Sequence, residues 1–311
     1  YYMELPKIAL GAWAWGNDGT FGDKYTANDL KEVFDEGMKK GLNLWDTAFV
    51  YGMGQSEKIL GEFIKNYERK DLIISDKFTP QCEDGTPEAM EHMIENSMKL
   101  LNINDSIDIY WIHNPMDVEK YTPMLIPLYK KGIIKNVGVS NHNLEELKKA
   151  QEILDKEGIK IVALQNHYSL LNRSSETSGL LDYCKENDIT FFAYMVLEQG
   201  ALTGNFDTKH PFPEDSDRGK SYNDKLDKFE ELNKALEEVA KKHNTKIPVI
   251  AIAWAINKGT LPIIGVTKAK HIDDAKEATE ITLSQEEIEY LEKTAEKLNV
   301  STIRYWEKEM K

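Results

Sequence analysis

Four titratable residues of four different kinds stand at telling places: Asp46, Tyr51, Lys77 and His113. Asp46, Lys77 and His113 each fall at or near the end of a short apolar run, and Tyr51 lies just beyond Asp46. Taken singly they have ordinary explanations: a loop cap, a core ring, a solvated strand end, a hydrogen-bonded structural histidine. Together they make an acid–base set. The Asp46 carboxylate pairs with the Lys77 ammonium and holds it in place. That cation beside Tyr51 favours the phenolate and lowers a pKa that starts at about 10. A tyrosine so tuned gives a proton to a carbonyl oxygen or takes one from a hydroxyl, while His113 donates a hydrogen bond to the same oxygen. An acid that protonates an alkoxide needs a hydride arriving at the carbon. No side chain supplies one, so a nicotinamide cofactor is implied. Schiff-base chemistry at Lys77 fits less well, because Asp46 would keep the amine protonated and a poor nucleophile. No metal site is expected, since the histidines show neither HxH nor HExxH spacing.

Elements must bring these residues to one place. Candidate strands run over 7–10, 42–46, 72–78, 107–113, 134–139, 161–165, 190–194 and 261–264. Several are near-continuous apolar runs, Ile107-Asp108-Ile109-Tyr110-Trp111-Ile112 among them, as strands buried on both faces of a parallel sheet require. Between them lie amphipathic helices with readable starts at Thr26, Thr86-Pro87, Asn143 and Ser284. This alternation predicts an α/β chain folded as a (β/α)8 TIM barrel, a single domain over 1–311 with an extra C-terminal helix. The open doubly wound alternative puts GxGxxG after its first strand, whereas this chain reads Gly11-Ala12-Trp13-Ala14-Trp15-Gly16. In a barrel, the strand-end residues and the irregular segment 205–223 share the C-terminal face, where active sites are built.

The composition narrows the partners. Lys and Arg number 39 against 53 Asp and Glu, a formal net charge of −14, which argues against nucleic acid and against docking on anionic lipid. The most apolar stretch, 247–256, is far shorter than the ~20 residues of a membrane span. The opening Tyr1-Tyr2-Met3-Glu4-Leu5-Pro6 lacks the pattern of a secretory leader. Two cysteines, Cys82 and Cys184, without CxxC spacing, suit free thiols in a reducing cytoplasm.

Longer motifs carry a resemblance. Asp46-Thr47-Ala48 with Tyr51-Gly52, Gly54, Ser56-Glu57 and Leu60-Gly61 resembles the DTAxxYGxGxSExxLG segment of the aldo-keto reductases. Asp108 to His113 with Pro115 resembles that family's DLYxxHxP strand, Gly138-Val139-Ser140-Asn141 its GVSN turn, and Gln165 to Arg173 its QxxYxLLxR segment. The resemblance spans roughly 7–298. It implies a catalytic tetrad of Asp46, Tyr51, Lys77 and His113 and an extended nicotinamide dinucleotide across the barrel mouth. It places Ser140, Asn141 and Gln165 on the carboxamide, Tyr194 under the nicotinamide ring, and Gly11 and Trp13 beside it. Leu197 lies on the same path, and Gly200-Ala201-Leu202-Thr203-Gly204 resembles the GxLTG turn over the pyrophosphate. Gly265, Thr267 and Lys268 would face the adenosine.

Two departures are visible. Tyr194-Met195-Val196-Leu197 stands where many members read Tyr-Ser-Pro-Leu, and Thr267-Lys268 leads to Asp273-Asp274-Ala275 where an arginine and Glu-Asn are common. Lys268 and Lys270 remain as cations for a ribose phosphate, which favours NADP(H) while leaving NAD(H) open. Trp13, Trp15 and Phe49 are expected to wall the substrate, with His167 reaching the pocket or serving as a structural hydrogen-bonding residue. Tyr110 and Trp111 are expected in the core. The resulting expectation is an NAD(P)H-dependent oxidoreductase reducing an aldehyde or ketone to an alcohol, or running the reverse oxidation. The alternative is a cofactor-binding, redox-sensing regulatory subunit with little turnover. Small polar carbonyls, sugars and a vitamin-like aldehyde suit the loops about equally. The tail 301–311 either covers the pocket or packs on the barrel.

Overall fold

The computed structural model describes residues 4–311; residues 1–3, part of the stretch read for a leader, lie outside the described residues. Eight strands form a closed barrel: β1 (Ala9–Gly11), β2 (Leu44–Asp46), β3 (Ile73–Phe78), β4 (Ile107–Ile112), β5 (Ile134–Ser140), β6 (Ile161–His167), β7 (Thr190–Tyr194) and β8 (Leu261–Gly265). Each pairs in parallel with the next, and β8 closes on β1. The candidate strands appear in order, with shifts at their ends. β2 starts later than expected because Leu42 still closes the preceding helix, its N–H donating to Gly37 O at 2.9 Å.

Alternation sorts the strand residues into two cores. Ala9, Leu44, Ile109, Trp111, Ala163, Phe192 and Leu261 fill the barrel. Leu10, Trp45, Ile74, Tyr110, Ile112 and Val139 face the surrounding helices. This double burial is why the β4 segment reads as an unbroken apolar run. Gly138 of β5 is fixed by the same packing, because a Cβ there would sit 2.4 Å from the Trp111 ring.

Capping boxes open the helices Ala27–Lys39, Leu144–Asp155 and Gln285–Leu298 at Thr26, Asn143 and Ser284, as their sequences suggest. Thr86 does not cap the helix Ala89–Leu101. Its hydroxyl donates to Asp84 at 2.7 Å instead, and the helix starts after Glu88 without a side-chain cap. No helix among the described residues is long and apolar enough to cross a membrane.

Two irregular segments shape the barrel mouth. The 205–223 segment contains the helix Asp217–Tyr222, capped by Ser216. It docks across the mouth onto the loop after β1, where Arg218 N donates to Thr20 O at 3.1 Å and its guanidinium Nε to Phe21 O at 2.9 Å. The tail beyond Leu298 returns over the same face and buries Thr302, Arg304 and Met310.

Candidate active site

A cavity of about 1470 Å³ opens where the strands end, and Gly11, Asp46, Ser140, Gln165, Tyr194 and Gly265 line it from the ends of β1, β2, β5, β6, β7 and β8. Tyr51 reaches it from the turn after β2. That turn is locked by a close approach of two glycines. Gly52 has φ +71°, and a Cβ on it would lie 2.1 Å from Gly16 O.

The four chemical residues meet here. Lys77 Nζ donates to Asp46 Oδ2 at 2.6 Å, to Thr47 O at 2.8 Å and to the Tyr51 hydroxyl oxygen at 3.1 Å. Asp46 is oriented from behind: Trp111 Nε1 donates to Ser75 Oγ at 2.6 Å, and Ser75 Oγ donates to Asp46 Oδ1 at 2.6 Å. Burial pulls the Lys77 ammonium down, but Asp46 and Tyr51 outweigh it and hold the group above its ordinary value. Burial pushes the Tyr51 phenol up to about 12, against the opposing charge of Lys77. The expected lowering is therefore reversed in direction: Tyr51 is only 8% exposed, and loss of water outweighs the cation. His113 stands with its ring centroid 6.0 Å from that of Tyr51. Burial, reinforced by Lys77, drives its imidazole down to about 3, so it is neutral at ordinary pH. Thr79 Oγ1 lies 2.8 Å from His113 Nδ1. With the Thr79 hydroxyl donating, the ring proton sits on Nε2, the tautomer that donates.

The cofactor candidates line the remainder. Trp13, Ser140, Asn141, Gln165, Tyr194, Leu197, Gly200, Gly204, Gly265, Thr267 and Lys268 all border the cavity. Leu202 does not; it is fully buried in the core beneath the turn. The turn after β7 is strained, with positive φ at Met195, Glu198, Gln199 and Gly200. Its peg is Glu198, fully buried, which accepts from His167 Nε2 at 2.7 Å, Tyr222 OH at 2.9 Å, Thr302 Oγ1 at 3.0 Å and the Ser169 hydroxyl.

Three expected substrate contacts fall elsewhere. Trp15 is fully buried against Trp45 and Phe63, with Nε1 donating to Val266 O at 2.8 Å, so it belongs to the layer between strands and helices. Phe49 is half-buried against that same core and does not border the cavity. His167 is clamped between Glu198 and Glu307, each at 2.7 Å. Burial lowers its pKa, but the two carboxylates overcome this and raise it to about 10, which makes it a buried cation. Of its two expected roles, the geometry gives the structural one. The wall beside Trp13 comes instead from Phe21, Tyr51 and Trp306, whose rings lie 5.5, 5.8 and 5.6 Å from it. Gln81, Asn114 and Tyr305 also border the space. Thr79 was signalled by its place beyond Lys77-Phe78, whereas nothing local in the sequence marks Phe21 or Glu307.

The cavity suits an extended dinucleotide. Gln199 Nε2 is buried without a hydrogen-bond partner while Gln199 borders the cavity, leaving a donor for an anionic oxygen. An added Cβ on Gly265 would meet nothing within 4 Å, so the mouth is open at β8. Lys246, Lys268 and Lys270 also line the cavity, Lys246 paired there with Asp274 at 2.5 Å. No group of acidic, histidine or cysteine side chains among the described residues could hold a metal ion.

A parallel barrel that joins a buried tyrosine acid to a long, lysine-lined cleft defines a nicotinamide-dependent oxidoreductase acting on carbonyls. Residues 7–296 match the aldo/keto reductase family, and the chain belongs to it. It is an NAD(P)H-dependent oxidoreductase that reduces carbonyls to alcohols. An aldo-keto reductase of Gibberella moniliformis is 32% identical over 328 residues, covering 99% of this chain and 96% of its own. The chloroplastic pyridoxal reductase of Arabidopsis thaliana is 30% identical over 323 residues, covering 97% of this chain and 87% of its own. A thermostable aldo-keto reductase solved with the inhibitor epalrestat superposes with a TM-score of 0.77 at 29% identity, covering 94% of this chain and 96% of its own.

Proposed function

We propose that this chain uses NADPH to reduce an aromatic aldehyde carrying hydrogen-bonding substituents, of which pyridoxal is the model, with Tyr51 as the acid. The observation that carries this reading is the hydrogen-bonded line Asp46–Lys77–Tyr51 ending at a cavity walled by Trp13, Phe21 and Trp306. A bound reduced nicotinamide supplies the hydride. Every other demand falls on the protein. Tyr51 OH delivers its proton to the carbonyl oxygen, and the Lys77 ammonium, 3.1 Å away, stabilises the phenolate left behind. Asp46 fixes that ammonium, and neutral His113 donates to the substrate oxygen and orients it. The same groups run the alcohol oxidation with the proton moving back to Tyr51. Ser140, Asn141 and Gln165 hold the carboxamide, and Tyr194 forms the floor.

Lys268 and Lys270, which line the cavity, support a ribose phosphate, hence NADPH over NADH. The aromatic wall with the Gln81 and Asn114 amides supports a flat, substituted substrate, and the resemblance to a pyridoxal reductase points the same way. We read the chain as one domain. Its two unpaired cysteines and its charge of −14 support the cytoplasm, with neither nucleic acid nor membrane as partner. The regulatory-subunit alternative has no support among the comparisons. Loss of nicotinamide absorbance with pyridoxal, benzaldehyde and glyceraldehyde tests the reading. The expected order of kcat/KM is pyridoxal, benzaldehyde, glyceraldehyde, with NADPH preferred over NADH. A preference for glyceraldehyde would overturn the substrate class.

A further inference from the structure

The tail residue Glu307 touches the floor of the cofactor site, and one proton decides what it does there. The Tyr194 hydroxyl lies 2.5 Å from two acceptors, Glu307 Oε2 and Asn141 Oδ1. A phenol has a single hydrogen, so only one of them can receive it. The Asn141 amide cannot turn round to donate, because its Nδ2 already donates to His113 O at 3.0 Å. Glu307 is equally fixed, since its Oε1 accepts from His167 Nδ1 at 2.7 Å and from the Arg304 N–H at 2.9 Å. Its carboxyl is buried, which alone would favour the neutral acid. The His167 cation and these hydrogen bonds prevail and hold it below the usual carboxylate value. A carboxylate outcompetes an amide oxygen for a phenol proton.

We infer that Glu307 is a positioning residue for cofactor binding: it takes the Tyr194 proton and so keeps Asn141 Oδ1 an open acceptor for the N–H of a bound carboxamide. Without that bond the Tyr194 hydroxyl turns onto Asn141 Oδ1 and takes one of its two lone pairs, which weakens it as an acceptor for the carboxamide. The tail then does more than cover the cavity. The clamp Glu198–His167–Glu307 carries orientation from the strained turn after β7 to the amide that grips the nicotinamide. Arg304 secures the same stretch by donating to Gln199 Oε1 at 2.5 Å.

The inference rests on the nicotinamide reading and is tested by Glu307→Gln. A glutamine keeps the shape, but its Oε1 satisfies His167 and the Arg304 N–H while its Nε2 donates to the Tyr194 oxygen. That reverses the phenol and weakens Asn141 as an acceptor. NADPH affinity, read by protein fluorescence quenching without substrate, is expected to weaken about fivefold, a large part of one hydrogen bond. The same substitution made in a Tyr194→Phe background, where no phenolic proton exists, is expected to change affinity less than about twofold, because no competing donor remains. Equal weakening in both backgrounds would make Glu307 a mere tail anchor and overturn the inference, as would unchanged affinity in the single variant. Failure of the unaltered protein to bind NADPH at all would overturn the nicotinamide reading itself.

Discussion

Tyr51 has to give a proton in one direction and take it back in the other, and its surroundings favour the giving. Burial raises its pKa to about 12, so below that pH the phenol keeps its proton. Reduction uses the protonated form and oxidation the phenolate. The hydride step of reduction is therefore expected to be flat from about pH 6 to 9, while that of oxidation rises about tenfold per pH unit, following the phenolate fraction. Single-turnover rates of cofactor absorbance in the two directions check this. A reduction rate that climbs with pH would show that another group supplies the proton. The residue types were legible in the sequence because each sits in a short motif at a strand end. The sign of the Tyr51 shift was not, because it depends on how much water reaches the hydroxyl. Trp15 misled for a related reason. It shares the post-β1 loop with Trp13, yet the turn sends one indole to the cavity and the other into the layer around Trp45 and Phe63.

The elements that finish the site are its loops. Arg218 works as a bolt for the 205–223 segment. Its Nη1 donates to Gln199 O at 2.8 Å, its Nε reaches Phe21 O, and its guanidinium lies 4.9 to 5.3 Å from the rings of Phe21, Phe206 and Phe212. These contacts join the loop after β1 to the turn after β7 across the cavity that is read as the cofactor's path. Arg218→Ala is expected to speed NADPH release by about tenfold, with a smaller change in the association rate, since losing packed contacts acts mainly on dissociation. Stopped-flow fluorescence measures both rates, and an unchanged release rate would mean the segment is no strap. Helix starts at Thr26, Asn143 and Ser284 were readable because a capping box is a local pattern. The start at Thr86 misread because Asp84 competes for its hydroxyl, two residues away. The sequence placed the 205–223 segment on this face and left the tail either over the pocket or on the barrel; the contacts that dock them were not readable, since they are made between residues distant in sequence.

At the scale of the whole molecule, the barrel follows from repetition. Eight buried runs separated by amphipathic helices have few ways to satisfy every strand edge, and closing β8 on β1 removes the edges. Closure sets the strand ends in one ring, which is why residues as distant as Asp46 and Gln165 share a cavity. Against a net charge of −14, the cavity is lined by Lys268 and Lys270, and Lys77 is buried beneath Tyr51. The central claim is that this ring of strand ends delivers its proton through one hydroxyl. Tyr51→Phe removes that oxygen and leaves the ring, Lys77 and the cofactor contacts in place. The rate of aldehyde reduction in a single turnover with bound NADPH is expected to fall by about 10²- to 10⁴-fold, the usual loss of a general acid. NADPH affinity should stay within about threefold, since no cofactor hydrogen bond is removed. Reduction by the Tyr51→Phe protein at the rate of the unaltered one would contradict the account.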